Sequence, residues 1–361
     1  MALVPGLAIF RAAAQGAGMV ASRTGMARNA ASLARWLFVI AALVVLIVAV
    51  GGVTRLTESG VSITEWKPVT GTIPPLTEAQ WQAEFDAYRQ TPQYIEINGP
   101  AGMTLSGYKF IYFWEWLHRL LARAIGGVLA VVIAWYGFRR RIPPGYTPRL
   151  VALLALIGFQ AAIGWWMVTS GIVNDVRVSH FRLAAHLLTA LLTLGGLVWT
   201  ACDLTALARG EPRARLTRFT SFVLAMLTVQ LFFGALVAGM RAGHVANDWP
   251  LMQGRLFPDG VDWPGGVFHA LLNDPFLIHF IHRWWAWAAV AALIVMARRL
   301  KRSGERQASI AIHSAFGVQL ILGIFTVWSG ISLWFAVAHQ LVGALLVAAS
   351  TWGAHALGRK R

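Results

Sequence analysis

Long apolar runs govern what this chain can fold into. They include Trp36–Val53, Ala124–Phe138, Leu183–Ala201, Phe219–Gly239 and Ala286–Ala297. About 18–20 consecutive apolar residues span a hydrocarbon core as a helix, because a helix satisfies its own backbone polar groups where no water can. With the shorter runs that polar residues interrupt at one end, the sequence predicts eight spans: 36–56, 110–138, 149–170, 180–203, 216–240, 276–298, 308–329 and 332–357. Only 13% of the residues are charged, against about a quarter in soluble domains. The expected fold class is an all-α integral membrane protein.

The net charge of +16 would point to nucleic acid in a soluble protein, but its placement excludes that partner. Lys and Arg gather before Trp36 and around Arg139–Arg149, Arg209–Arg218, Arg298–Arg306 and Arg359–Arg361. Of the 15 acids only Asp203, Glu211 and Glu305 share or border those segments, whereas the other connections carry acids such as Glu58, Glu65, Asp175, Asp248 and Asp274. Short Lys/Arg-rich loops stay cytoplasmic, so both termini are expected in the cytoplasm. The segments 57–109 and 241–275 then become long outer loops of a multi-pass protein in the bacterial inner membrane, with the mitochondrial inner membrane as the alternative. Residues 1–35 hold Arg11, Arg23, Arg28 and Arg35 and no acid. They read as a cytoplasmic tail rather than a signal peptide; a transit peptide has similar composition, and Met26 is a second candidate start. The lone Cys202 excludes a disulfide within the chain and reads as a small apolar side chain.

The chain repeats itself. Gly158-x-Gln160-x-x-x-Gly164-x-x-x-Val168-x-Ser170-Gly171 returns as Gly317-x-Gln319-x-x-x-Gly323-x-x-x-Val327-x-Ser329-Gly330. Ala185-His186 returns as Ala338-His339, and His118-Arg119 as His282-Arg283. The second, third and fourth spans thus match the sixth, seventh and eighth. This predicts two pseudo-symmetric four-helix bundles, at 36–204 and 216–358, joined by a cytoplasmic linker at 205–215. Gly164 and Gly323 are expected to allow close helix approach.

Each even-numbered span carries a histidine at a similar depth. His118 lies 21 residues from Arg139, His186 17 from Asp203, His282 16 from Arg298 and His339 20 from Arg359. At 1.5 Å per residue that is roughly 24–32 Å from the basic end. Any one of them reads well as a buried histidine bonded to a neighbouring helix. Four at one depth, repeated in both halves, point instead to paired ligands. A haem iron takes two axial imidazoles, whereas zinc calls for three or four ligands at one site. One bis-histidine haem site is therefore expected at His118 and His186 and another at His282 and His339, with Gly126, Gly127, Gly195, Gly196 and Gly343 admitting a flat macrocycle. Arg55, Arg119, Arg241 and Arg283 are candidate partners for haem propionates or snorkel to lipid headgroups. Glu115 stands one turn before His118, where the second half has His279. It is either ion-paired with Arg119 or Arg55, or it marks the half in which a haem is worked upon.

Further motifs are Gly51-Gly52-Val53-Thr54-Arg55-Leu56-Thr57-x-Ser59-Gly60, Trp66-Lys67-Pro68-Val69-x-Gly71, Lys109-Phe110-Ile111-Tyr112-x-Trp114-Glu115-Trp116-x-His118-Arg119 and Asn247-Asp248-Trp249-Pro250-Leu251-Met252. On them the chain resembles the haem A synthase family from about Trp36 to its end. The resemblance implies an oxidoreductase that turns a ring methyl of haem O into a formyl group, giving haem A for terminal oxidases. It implies haem O as substrate between His118 and His186, a permanent haem B cofactor between His282 and His339, and Glu115 as the catalytic acid. Residues 57–109 hold no cysteine, so the chain looks like the cysteine-free branch of the family. Implied partners are the lipid bilayer, a haem O synthase, an electron acceptor and a second copy of the chain. The readings left open are a di-haem B transmembrane electron carrier and a duplicated membrane transporter.

Overall fold

In the computed structural model residues 5–173 and 176–359 are described, with side chains from residue 24 onward. Asp175, Lys360 and Arg361 lie outside the described residues, and of Arg11 and Arg23 only the helical backbone is described. Ten α-helices follow one another: α1 Pro5–Leu56, α2 Glu78–Tyr88, α3 Leu105–Phe138, α4 Thr147–Val173, α5 His180–Ala208, α6 Arg218–Met240, α7 Val267–Asn273, α8 Pro275–Arg302, α9 Arg306–Trp328 and α10 Leu333–Arg359. Eight of them, all but α2 and α7, are long and apolar enough to cross a membrane. No β-strand forms among the described residues, only an isolated bridge between Met252 and Arg255.

The helices outrun the apolar runs that announce them. Helix α1 begins well before Trp36, so the expected boundary at residue 35 is not a helix start. Helix α5 continues to Ala208, which moves the expected linker from 205–215 to 209–217. The physical reason is at Asp203, the one acid of α5: it is fully buried, bonded to His355 Nε2 on α10 at 2.8 Å and paired with Arg149 of α4. A charge held this way no longer has to leave the apolar interior.

Short connections force the spanning helices they join to run antiparallel. In the first half α1 packs on α3 and α5, and α4 packs on α3 and α5; in the second, α6 and α9 each pack on α8 and α10. The seam is formed by α1, α5, α6 and α10. The main core sits there, with Leu33, Leu37, Ile40, Leu194, Leu197 and Leu204 among its fully buried side chains.

The two long connections carry structure of their own. Helix α2 starts with a capping box between Thr77 and Gln80, which satisfies backbone N–H groups at its first turn. Phe85 and Tyr88 of α2 stack on Tyr108 of α3, with ring centroids 5.0 and 5.2 Å apart. Lys67 bridges Glu84 at 2.8 Å and Glu65 at 3.0 Å; the Glu84 hydrogen bond raises its pKa above the usual lysine value. In the second connection Asp248 accepts N–H bonds from Gln253 at 2.9 Å and Gly254 at 2.8 Å. These bonds, Gly254 first, hold its carboxyl below the usual range.

Candidate functional site

The four matched histidines meet in two pairs. His118 of α3 and His186 of α5 have ring centroids 6.5 Å apart, and His282 of α8 and His339 of α10 have theirs 6.4 Å apart. The members of a pair stand at opposite corners of their four helices, so the space between them is bounded by the other two. Two isolated rings at such a distance also fit an aromatic contact, but no hydrogen bond joins either pair among the described residues, and both pairs share one spacing. A metal about 2.0 Å from each of two imidazole nitrogens sets the centroids roughly 6–6.5 Å apart, once a ring radius of ~1.2 Å is added on each side. No cluster of three or more His, Cys, Asp or Glu able to hold a metal ion occurs among the described residues. The donor set therefore suits a metal that brings its own equatorial ligands, as haem iron does, and not a zinc ion.

Each imidazole lies against a glycine of a neighbouring helix. A Cβ added at Gly51 of α1 would fall 2.9 Å from His118 Cε1; at Gly164 of α4, 2.9 Å from His186 Cε1; at Gly234 of α6, 2.8 Å from His282 Cε1; at Gly323 of α9, 3.1 Å from His339 Cε1. These glycines are recesses for the ligand rings. The expected macrocycle glycines behave otherwise: Gly196 faces Leu153, Gly343 faces Gln319 and Gly195 faces Thr351, while nothing lies within 4 Å of Gly127. One turn before three of the recesses stands a glutamine. Gln160 Nε2 lies 3.0 Å from His186 Nδ1 and donates to its carbonyl at 2.8 Å; Gln230 Nε2 lies 3.1 Å from His282 Nδ1. Gln319 differs: its Nε2 lies 3.3 Å from His339 Nε2, and its backbone carbonyl lies 3.2 Å from His339 Nδ1.

Glu115 is buried and fully engaged. Its Oε1 pairs with Arg119 at 2.6 Å, while Oε2 accepts from Ser62 Oγ at 2.7 Å and the Ile63 N–H at 2.8 Å. In the second half His279 takes the same place, accepting at Nε2 from Arg283 at 3.0 Å. Both arginines spend their remaining N–H groups on the loop above. Arg119 donates to the carbonyls of Ile63 and Glu65, and Arg283 to those of Ala246, Asp248 and Leu251. They are clasps that fasten the long connections over the histidine pairs. Arg55 and Arg241 work at the seam: Arg55 of α1 donates to the Ala238 and Gly239 carbonyls of α6 at 3.0 and 3.1 Å, and Arg241 pairs with Glu58 at 2.7 Å.

The glutamine at the turn before Gly164 and Gly323 is in the repeated motif, yet its contact with histidine is not readable there. Gly51, Gly234 and Gln230 escape because the first and fifth spans share too little else to be aligned. Ser62 and Ile63 escape because nothing in a loop sequence says which of its groups will turn back on a carboxylate.

Comparison with known proteins gives the same outline. The model of the COX15-CtaA family, described as cytochrome oxidase assembly protein, matches residues 34–351. A protein of Novosphingobium aromaticivorans named "Heme A synthase" is 69% identical, over 92% of this chain and 97% of its own length. Proteins of the same name from Sphingopyxis alaskensis and Erythrobacter litoralis are 57% and 58% identical, over 94% and 91% of this chain and 96% and 98% of their own lengths.

Proposed function

The chain belongs to the COX15-CtaA family of cytochrome oxidase assembly proteins, and on that premise we propose how it works as a haem A synthase of the bacterial type. It is a multi-pass membrane oxidoreductase that converts haem O to haem A. The observation that carries the residue-level reading is the likeness of the two histidine pairs together with their one chemical difference, Glu115 against His279.

His118 and His186 hold the substrate haem O, and His282 and His339 hold a resident haem B, in two pseudo-symmetric halves. The resident haem supplies a one-electron redox centre when bound. The residues around the first pair do the rest. Gly51 and Gly164 let the two imidazoles sit at ligand spacing. Arg119 clasps residues 63–65 over the pair and keeps water from it. Glu115 is oriented by Arg119, Ser62 and Ile63, and its carboxylate stabilises the positive charge that develops at the oxidised carbon. Arg55 and Arg241, bonded across the seam to the Ala238 and Gly239 carbonyls and to Glu58, are candidates for propionates together with Arg119 and Arg283. The chain sits in the inner membrane with both termini cytoplasmic, takes haem O from a haem O synthase and passes electrons to an acceptor.

Haem extraction from the detergent-purified protein, followed by chromatography, tests this reading. Haem B together with haem O, haem A or a hydroxylated intermediate is the expected result. Haem B alone, from cells that make haem O, would establish an electron carrier instead.

A further inference from the structure

Three of the four ligand rings have their Nδ1 met by a glutamine four residues before the glycine recess: Gln160 before Gly164 and Gln230 before Gly234 with the carboxamide, and Gln319 before Gly323 with its backbone carbonyl. Before Gly51 the same position is Ile47, a partly buried aliphatic side chain packed on the core. His118 Nδ1 is accordingly buried without a hydrogen-bond partner among the described residues. Nor does a backbone carbonyl replace the glutamine, as the Gln230 and Gln319 carbonyls do at 3.3 and 3.2 Å from their rings. The ring fits its recess as closely as the others do, with Gly51 placing a hypothetical Cβ 2.9 Å from Cε1. The difference is therefore one of hydrogen bonding and not of position.

A bond from the second ring N–H to an oxygen, a backbone carbonyl or a carboxamide turned to present its Oε1, fixes the tautomer and orientation of a metal-bound histidine and makes it a stronger donor; losing that bond costs about 10–100-fold in affinity. We infer that His118 is the releasable ligand of the four, made so by Ile47, and that haem enters and leaves the first half by making and breaking the bond to His118 while His186, pinned by Gln160, keeps hold. The inference rests on the reading of the two pairs as haem sites. Breaking this bond leaves the electron pair on the imidazole and one coordination position open on the iron, so no oxidant or reductant is consumed. The asymmetry also suits the division of labour: a site that must discharge a product needs a weak ligand, and a resident cofactor does not.

The test is carbon monoxide titration of the dithionite-reduced, haem-loaded protein, read from the optical spectrum. In the unaltered protein the haem of the first half should bind carbon monoxide and that of the second should not. Ile47→Gln supplies the missing bond and should weaken carbon monoxide binding about 10-fold or more. Gln160→Ile, which removes the only partner of His186 Nδ1 among the described residues, should free the second ligand of the same haem and raise its carbon monoxide affinity, and it keeps the test decisive if the first variant does not fold. Haem-loaded Ile47→Gln and Gln160→Ile proteins that titrate like the parent would overturn the inference and leave the haem sites standing. A colourless parent protein would overturn both.

Discussion

Replacing Gly234 by alanine tests whether the glycine recesses exist for the ligand rings. The new Cβ would stand 2.8 Å from His282 Cε1, and ordinary contact begins at 3.4 Å, so the ring must give way by 3.4 − 2.8 = 0.6 Å. It has little room to do so, because Gln230 meets its Nδ1 with the carboxamide at 3.1 Å and with the backbone carbonyl at 3.3 Å. Overpacking of this kind costs about 1–3 kcal/mol, which corresponds to roughly 5- to 150-fold in affinity. A metal bond of about 2.0 Å does not stretch by such a distance. Gly317→Ala on α9 is the control, since nothing lies within 4 Å of its Cβ and alanine favours the helix by about 1 kcal/mol. The assay is the haem-to-protein ratio of detergent-purified protein, measured as the pyridine haemochrome across a series of imidazole washes. Haem should be lost from Gly234→Ala at lower imidazole than from Gly317→Ala or the parent. Equal retention in all three would refute the idea that the recesses set ligand geometry.

Glu115→Ala should leave both haems bound yet abolish accumulation of haem A in cells supplied with haem O; normal product would remove Glu115 from the chemistry. Arg283→Ala strips three carbonyls of the second connection of their donor, and hydrogen exchange at residues 246–251 should rise at least 10-fold with little change in the helices. Asp203→Ala leaves His355 and Arg149 without their buried partner, at a cost of about 3 kcal/mol, and the protein in detergent should lose its haem spectrum at a lower temperature. Asp248 has a depressed pKa, so its support of the second connection is present above the usual carboxylate value of about 3.9 and lost as pH falls through the lowered one. For Lys67, whose pKa is raised, support of the first connection is complete below about 10.4 and lost as pH rises through the raised value. Limited proteolysis of the two connections should therefore be slow between these limits and accelerate outside them, at the acid end first in the second connection.

The spanning helices were legible because hydrocarbon leaves a chain so few choices: the span expected at 110–138 appears as Leu105–Phe138, and that at 216–240 as Arg218–Met240. Their ends were less so. Residues 204–208 of α5 lie beyond a charge whose burial depends on His355, more than 150 positions away, and local sequence carries no trace of that partner. The histidine pairing was readable from depth and repetition. Their recesses and glutamine props were not, since which residue faces a ring depends on helix rotation, and an apolar helix surrounded by apolar neighbours gives no periodic signal of rotation. The Tyr88–Tyr108 stack over the first connection likewise joins two elements that no motif links.

The arginine clasps also fix an order of construction. Arg119 reaches back 56 residues to Ile63, whereas His118 waits 68 residues for His186. In the second half Arg283 reaches back 37 residues to Ala246, and His282 waits 57 for His339. A ribosome emits the chain from its N-terminal end at about 5–20 residues per second, so each ceiling can be fastened seconds before its far wall exists. On the proposed haem reading, substrate that arrives during synthesis of the first half meets a roofed alcove, open on the side where α5 will stand.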